Sequence, residues 1–332
     1  VKILVTGGAG YIGGTVAALL AEKRHKVFIY DNLSHGRRDL LPAGAELIEG
    51  ELADREKLER IFSSARQAGE PFDGVLHFAA LIEAGESMQK PELYFRNNTA
   101  STLSLLEAML AGGPRRLVFS STAAVYGEPE SVPIREDARL EPTNAYGHSK
   151  LLVEQILTWL NRVHGLRYAS LRYFNVAGAP EGPDGIVRGE AHDPETHLIP
   201  LVLDVALGRR QSIRIYGDDY PTADGTCIRD YIHVSDLADA HLLALEALEK
   251  HDRLIFNLGN GQGFSVREVI EAARRVTGHP IPAEIHPRRA GDPAVLVASS
   301  EKAIRELGWR PRYTDLESIL RTAWAWHRKR YA

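Results

Sequence analysis

The chain has 332 residues, 44% of them hydrophobic and 25% charged, with a formal net charge of −4. This is the mixture of a soluble globular protein of about two domains, and it excludes the large basic excess of a chain that grips nucleic acid or an anionic membrane surface. The single cysteine, Cys227, excludes an intrachain disulfide and is read as a packed thiol in a reducing, cytoplasmic compartment. No apolar run is long enough to span a bilayer, and the opening residues VKILVTGG lack the regions of a signal peptide.

In chain order, KILVT (2–6), KVFIY (26–30), GVLHFAA (74–80) and RLVFSS (116–121) read as buried strands, and YASLRYFNVAG (168–178) adds a later one. Between them TVAALLAEK, REKLERIFSSARQ and NNTASTLSLLEAML carry helical periodicity. Near-continuous apolar strands alternating with helices predict an α/β fold: a Rossmann-type, doubly wound parallel sheet covered on both faces. From Gly178 the texture changes to GAPEGPDGIVRGEAHDPETH, dense in glycine, proline and charge, which predicts a loop over a binding site. The helical patterns LIPLVLDVALGRR, RDYIHVSDLADAHLLALEALEK and SVREVIEAARRVTG follow. The expected organisation is a nucleotide-binding domain over 1–178 and a smaller C-terminal α/β lobe over 179–332 that binds substrate. The segment around 229–250 is expected to pack back on the first domain.

The run TGGAGYIGG follows the first strand and opens a helix. Gly8, Gly10 and Gly13 fit G-x-G-x-x-G, and Gly7, Gly10 and Gly13 fit G-x-x-G-x-x-G. Such glycines let backbone approach a pyrophosphate at a helix N-terminus. Asp31, at the end of the second strand, suits a ribose hydroxyl and repels a 2′-phosphate, which favours NAD over NADP. Arg37 and Arg38 just beyond it could bind a phosphate or simply be solvated.

Ser120, Ser121 and Thr122 lie at a strand end, where open parallel sheets hold ligands. Downstream, Tyr146 and Lys150 are one helical turn apart on one face. A phenol titrates near about 10, too high for an efficient base at neutral pH, and a nearby ammonium would lower it. Thr122, Tyr146 and Lys150 thus form a hydroxyl–phenol–ammonium set suited to moving an alcohol proton during hydride transfer. No metal is expected: the histidines are scattered, without H-E-x-x-H or a Cys/His cluster, and His197 and His233 read as packing or polar contacts.

With these residues in hand, the chain resembles the extended short-chain dehydrogenase/reductases and, within them, the UDP-glucose 4-epimerases. TGGAGYIG, DNLS, YGHSK, LRYFN, YGDDYPTADGTCIRDYIHVSDLADAH and RRAGDPA carry the resemblance, which covers almost the whole chain. It implies interconversion of UDP-glucose and UDP-galactose through a 4-keto sugar, with tightly bound NAD and a homodimer built on the helices after Asn97 and around Lys150. By position it implies that Gly7, Gly10, Tyr11, Ile12 and Gly13 contact the pyrophosphate, and Asp31 and Asn32 the adenosine side. Glu51 and Leu52 would lie beside adenine, Glu51 standing where the family has Asp. Phe78, Ala79, Ala80, Asn97, Ser120, Tyr146, Lys150 and Tyr173 would complete the cofactor contacts, while Ile82 replaces a family lysine. Thr122, Tyr146, Asn175, Thr196, His197, Leu198, Tyr216, Arg229, Arg289 and Asp292 would contact the UDP-sugar, with the two arginines on its diphosphate and Asp292 on the uridine ribose. The family's asparagines are missing around Thr196. Val295 or Leu296 would stand at the gate for an N-acetyl group, and neither is bulky, which extends the expected substrates to UDP-GlcNAc and UDP-GalNAc. Rival expectations are a UDP-glucuronate 4-epimerase or decarboxylase and, outside catalysis, an NAD-responsive binding protein. A 4,6-dehydratase is disfavoured because Ala123 and Ala124, not acids, follow Thr122.

Overall fold

Short apolar runs become fully buried strands wherever helices cover both faces of a sheet. The computed structural model, which describes residues 1–182, 185–289 and 291–331, is built around such a sheet. Its strands are β1 (Lys2–Thr6), β2 (Lys26–Asp31), β3 (Glu46–Glu49), β4 (Gly74–His77), β5 (Arg116–Ser120) and β6 (Arg167–Tyr173). The second half contributes β7 (Asn175–Ala177), β8 (Ile213–Tyr216), β9 (Ile228–His233), β10 (Arg253–Leu258), β11 (Gly263–Ser265), β12 (Ala283–His286) and β13 (Val295–Leu296). The main sheet is parallel throughout, in the order β10-β6-β5-β4-β1-β2-β3. The order reverses at β1, and Thr6 lies level with both Tyr30 and His77. The carboxyl ends therefore form one continuous rim at the switch point, where open α/β sheets bind ligands.

One face of the sheet buries Ile3, Val5, Val16, Leu20 and Ile29, together with Phe256, Leu258 and Trp309 from the second half. The other buries Leu4, Leu58, Phe62, Leu105, Phe119, Val153 and Tyr168. From the second half, β10 pairs in parallel with β6 and inserts Leu254, Phe256 and Leu258 into the first core. The smaller lobe has its own core, in which the Leu198–Ala206, Val266–Thr277 and Leu316–Tyr331 helices bury Val202, Leu203, Ile270, Ile319 and Leu320.

The helical pattern of 229–250 is corrected at its start: Ile228–His233 is a strand, and the helix begins at Val234. Pairing with β7, β11 and β13 overrides the local periodicity and buries Tyr231 and Ile232. Within β9, Asp230 accepts backbone N–H bonds from Asn260 (2.7 Å), Gly261 (3.0 Å) and Ala298 (3.1 Å), tying two loops to the strand. No helix among the described residues is long and apolar enough to cross a membrane.

Candidate active site

The turn after β1 admits only glycine at two points. Gly7 has φ +71°, and a Cβ there would lie 2.5 Å from the Ala79 backbone nitrogen; a Cβ on Gly13 would lie 2.3 Å from the Gly7 carbonyl oxygen. The Tyr11–Glu22 helix starts at Gly10 with no side-chain cap, so its first N–H groups face the cavity as anion donors. Asp31 is held in place by N–H bonds from Ala9 (3.0 Å) and Leu33 (2.8 Å). Asn32 donates to the Glu51 carboxylate at 3.1 Å, so the glutamate in place of the family's aspartate is locked beside it. Arg37 pairs with Asp39 at 2.6 Å and Arg38 with Glu49 at 2.5 Å, which engages the two cations that could have bound a 2′-phosphate. A glycine cradle, open helix donors and an ordered carboxylate fit NAD.

At the end of β5, Thr122 caps the following turn by accepting from the Ala124 N–H at 3.1 Å. Across the cavity Asn144 caps the Ala145–His164 helix through the Gly147 N–H, 2.8 Å away. This cap places Tyr146 in the first turn, with its own N–H on Ser87 Oγ (3.0 Å) and its phenol facing the same cavity as Thr122. One turn later Lys150, 2% exposed, donates to the Ser120 carbonyl at 2.7 Å and lies 5.0 Å from the Phe119 ring centroid. Burial pushes the Lys150 ammonium down to about 7. Burial also raises the Tyr146 phenol, with the nearby Thr122 side chain opposing it. Desolvation therefore works against the charged form of both groups, and the phenolate expected from the nearby ammonium and a positive nicotinamide has that cost to overcome.

Ser120 and Tyr173 share a short hydroxyl–phenol hydrogen bond. A wide, π-type turn over Phe95–Ala100 separates two neighbouring asparagines by role. Asn97 lines the cavity, while buried Asn98 accepts from the Leu81 N–H (2.8 Å) and donates to Ser149 (3.1 Å). On the other side Arg289 stacks on Tyr216 at 4.0 Å. Burial raises the Tyr216 phenol, but hydrogen bonds and charge from Arg289 and Arg214 outweigh it and leave it lowered. Arg229 and Asp292, expected on different parts of the substrate, form a short ion pair with each other. Of the two gate candidates, Leu296 lines the cavity; Val295 sits beside Ile228 in the β9–β13 pairing.

The glycine turn, Asp31, Glu51, Thr122, Tyr146, Lys150, Arg229, Arg289 and Asp292 border one cavity of about 1250 Å³. That exceeds the roughly 300–1,000 Å³ of a site for one small ligand and leaves room for a dinucleotide and a second molecule. Every site residue expected from the sequence lines it, from Gly7 through Tyr146 to Asp292.

Sequence reading misses a cluster in the loop after Gly178. Glu190, His192, Glu195 and His197 bring their ligand-type atoms within 4.8 Å of one another. His197, expected to touch substrate, has its Nδ1 2.9 Å from Glu190 and 3.0 Å from Glu195. The only trace in the sequence is the spacing E-x-H-x-x-E-x-H in an irregular segment, where no periodicity says which side chains converge.

Residues 3–259 match the family model described as the NAD dependent epimerase/dehydratase family. The chain is 56% identical to a UDP-glucose 4-epimerase of Streptomyces lividans over 326 residues, 98% of this chain and 96% of that protein. It superposes on a Stenotrophomonas maltophila UDP-glucose-4-epimerase, solved with bound NAD and formylated UDP-arabinopyranose, with a TM-score of 0.93 and 39% identity over 100% of this chain and 99% of the other. It also matches the UDP-Glc/GlcNAc 4-epimerase of Campylobacter jejuni, with a TM-score of 0.85 and 40% identity over 99% of each chain. Matched by that model over residues 3–259 and by these proteins along nearly its whole length, the chain belongs to the NAD-dependent epimerase/dehydratase family.

Proposed function

We propose that the protein is an NAD-dependent 4-epimerase that interconverts UDP-glucose and UDP-galactose. The observation that carries this reading is the convergence of Thr122, Tyr146 and Lys150 on the strand-end rim of one cavity large enough for dinucleotide and substrate together. Identity of 56% to a UDP-glucose 4-epimerase along the whole chain supports it. Held by the Gly7–Gly13 turn and Asp31, NAD would supply a hydride acceptor and donor at the sugar C4 and a positive charge that favours the Tyr146 phenolate. Tyr146 takes the 4-hydroxyl proton, relayed through Thr122, and gives it back once the 4-keto sugar has turned over. Arg229 and Arg289 hold the diphosphate by charge-assisted bonds while the sugar rotates. For Arg229 to do so, its ion pair with Asp292 opens or shares the guanidinium, leaving Asp292 free for the uridine ribose. Ala123 and Ala124 line the cavity where a dehydratase would need acids, so water is not eliminated. Run in D2O, the reaction should give product without deuterium at C4; deuterium incorporation there would contradict hydride transfer within the site.

The sugar pocket tolerates an N-acetyl group because Leu296 leaves space that a tyrosine would fill. The UDP-Glc/GlcNAc 4-epimerase of the Campylobacter match supports this breadth. A Leu296→Tyr variant should lose UDP-GalNAc turnover by roughly tenfold or more while UDP-galactose turnover changes little, as a steric block discriminates by a few kcal/mol at most. Equal turnover of both sugars by the variant would remove Leu296 from that role.

The protein acts in the cytoplasm as a homodimer, with the Ser101–Gly112 and Ala145–His164 helices as the shared face. Leu103, Leu152, Trp159 and Val163 are exposed apolar residues on these helices, with Trp159 62% exposed. Trp159→Glu should sediment as a monomer where the parent sediments as a dimer; an unchanged sedimentation coefficient would place the interface elsewhere.

A further inference from the structure

We propose that Glu190, His192, Glu195 and His197 form a structural zinc site that fastens the loop over the cavity to the smaller lobe. The four ligand atoms lie within 4.8 Å of one another. His197 Nδ1 is 2.9 Å from Glu190 Oε1 and 3.0 Å from Glu195 Oε1, and His192 Nδ1 is 3.2 Å from Glu190 Oε1 and 3.7 Å from Glu195 Oε2. Ligand bonds of about 2.0–2.1 Å around a tetrahedral zinc put neighbouring donors about 3.3 Å apart, so the cluster needs only small shifts to close on an ion. His192 Nδ1 is buried and, although near two carboxylates, is aligned for a hydrogen bond with neither. A nitrogen within 3.7 Å of both carboxylates and hydrogen-bonded to neither suits a shared centre.

The donor set selects the ion. Two imidazoles and two carboxylates suit zinc, whereas calcium and magnesium prefer oxygen-only sites with six or more ligands. The surroundings already orient the donors. Glu195 accepts N–H bonds from Thr196 and His197, both at 2.9 Å, and from His192 at 3.3 Å. The Glu190 carbonyl accepts from Trp326 Nε1 at 3.0 Å, and the Glu190 side chain is 8% exposed. Such outer contacts fix first ligands in metal sites.

The position gives the ion its work. His197 is the residue before the Leu198–Ala206 helix, Trp326 belongs to the C-terminal helix, and Thr196 donates to Glu83 of the nucleotide-binding half at 2.5 Å. Arg188, two residues before Glu190, donates to the Leu40 carbonyl at 2.8 Å. An ion here would hold the loop in the shape that makes these contacts while taking no part in hydride or proton transfer. The competing arrangement is a metal-free pair of imidazolium–carboxylate contacts with the same residues.

Tag-free protein, with NAD bound, is stripped of metal by dipicolinate and titrated with Zn²⁺ against a chromophoric chelator, then with Co²⁺ alone. The expected result is one equivalent of zinc per chain, a visible Co²⁺ spectrum of tetrahedral type, and a thermal midpoint raised by Zn²⁺. His192→Asn and Glu190→Gln should each weaken zinc binding by at least roughly tenfold, since loss of an outer contact alone costs about that much. Both variants are checked for bound NAD and far-UV circular dichroism, and should one not fold, the other and the parent's Co²⁺ spectrum decide. No uptake by the parent, uptake equal in parent and folded variant, or an octahedral Co²⁺ spectrum overturns the site in favour of the ion-pair cluster.

Discussion

A Tyr146→Phe variant should keep its bound NAD and lose about a hundred- to ten-thousand-fold in kcat for UDP-galactose, the range by which a positioned acid–base group contributes. The phenyl ring keeps the shape of the side chain and removes only the hydroxyl that shares the cavity rim with Thr122. The Tyr146 N–H on Ser87 and the Asn144 cap are backbone and cap interactions that the substitution leaves in place, so the helix start should survive. A stopped-flow or discontinuous assay with NAD content measured on the same sample checks the outcome. Loss of activity together with loss of NAD would mean that the tyrosine holds the cofactor rather than moving the proton, and an unchanged kcat would remove it from the chemistry altogether.

The second large effect concerns Lys150, whose ammonium is buried with a carbonyl rather than a carboxylate as its hydrogen-bond partner. Its pKa falls from 10.5 in the open chain to about 7 in the fold because burial penalises the charge. The sign follows from proton linkage. Between pH about 7 and 10.5 the unfolded chain binds more protons at this residue than the folded one, so its contribution to stability improves as pH rises through that window. Below pH about 7 both states are charged and the desolvation cost is fully present, on the order of a few kcal/mol. Lys150→Met should therefore make the nucleotide-stripped protein more stable at pH 6 and erase the advantage by pH 10, while lowering kcat by about a hundredfold or more. Thermal or urea unfolding at the two pH values, beside the rate, separates the two roles. A variant less stable than the parent at pH 6 would show that the lysine is a structural strut, and a variant of normal rate would show that the phenolate needs no ammonium. A lysine that costs stability and is needed for turnover is what a group placed for chemistry looks like.

Much of this site is legible in the sequence because its chemistry is local. The glycine turn, Asp31 and the four-residue step from Tyr146 to Lys150 are each set by one strand end or one helix turn, and all face the cavity. REKLERIFSSARQ is helical over its full length because its amphipathic pattern is strong and Asp54 caps it. Other features depend on contacts far away in the chain. β3 has the half-exposed sequence ELIE and becomes a strand through pairing with β2. β9 carries a helix-like pattern and is held extended by three partner strands. β10 belongs to the first sheet although it lies some eighty residues beyond the other strands. The Arg229–Asp292 pair and the Glu190–His192–Glu195–His197 cluster are harder still, because both lie where irregular backbone decides which side chains meet.

The most direct test of the account is a proton NMR time course of UDP-galactose with purified protein and no added NAD. UDP-glucose should appear until the two sugars reach equilibrium, because hydride leaves and returns to the same C4 and the cofactor is not consumed. No conversion, either alone or after NAD is supplied, would contradict it.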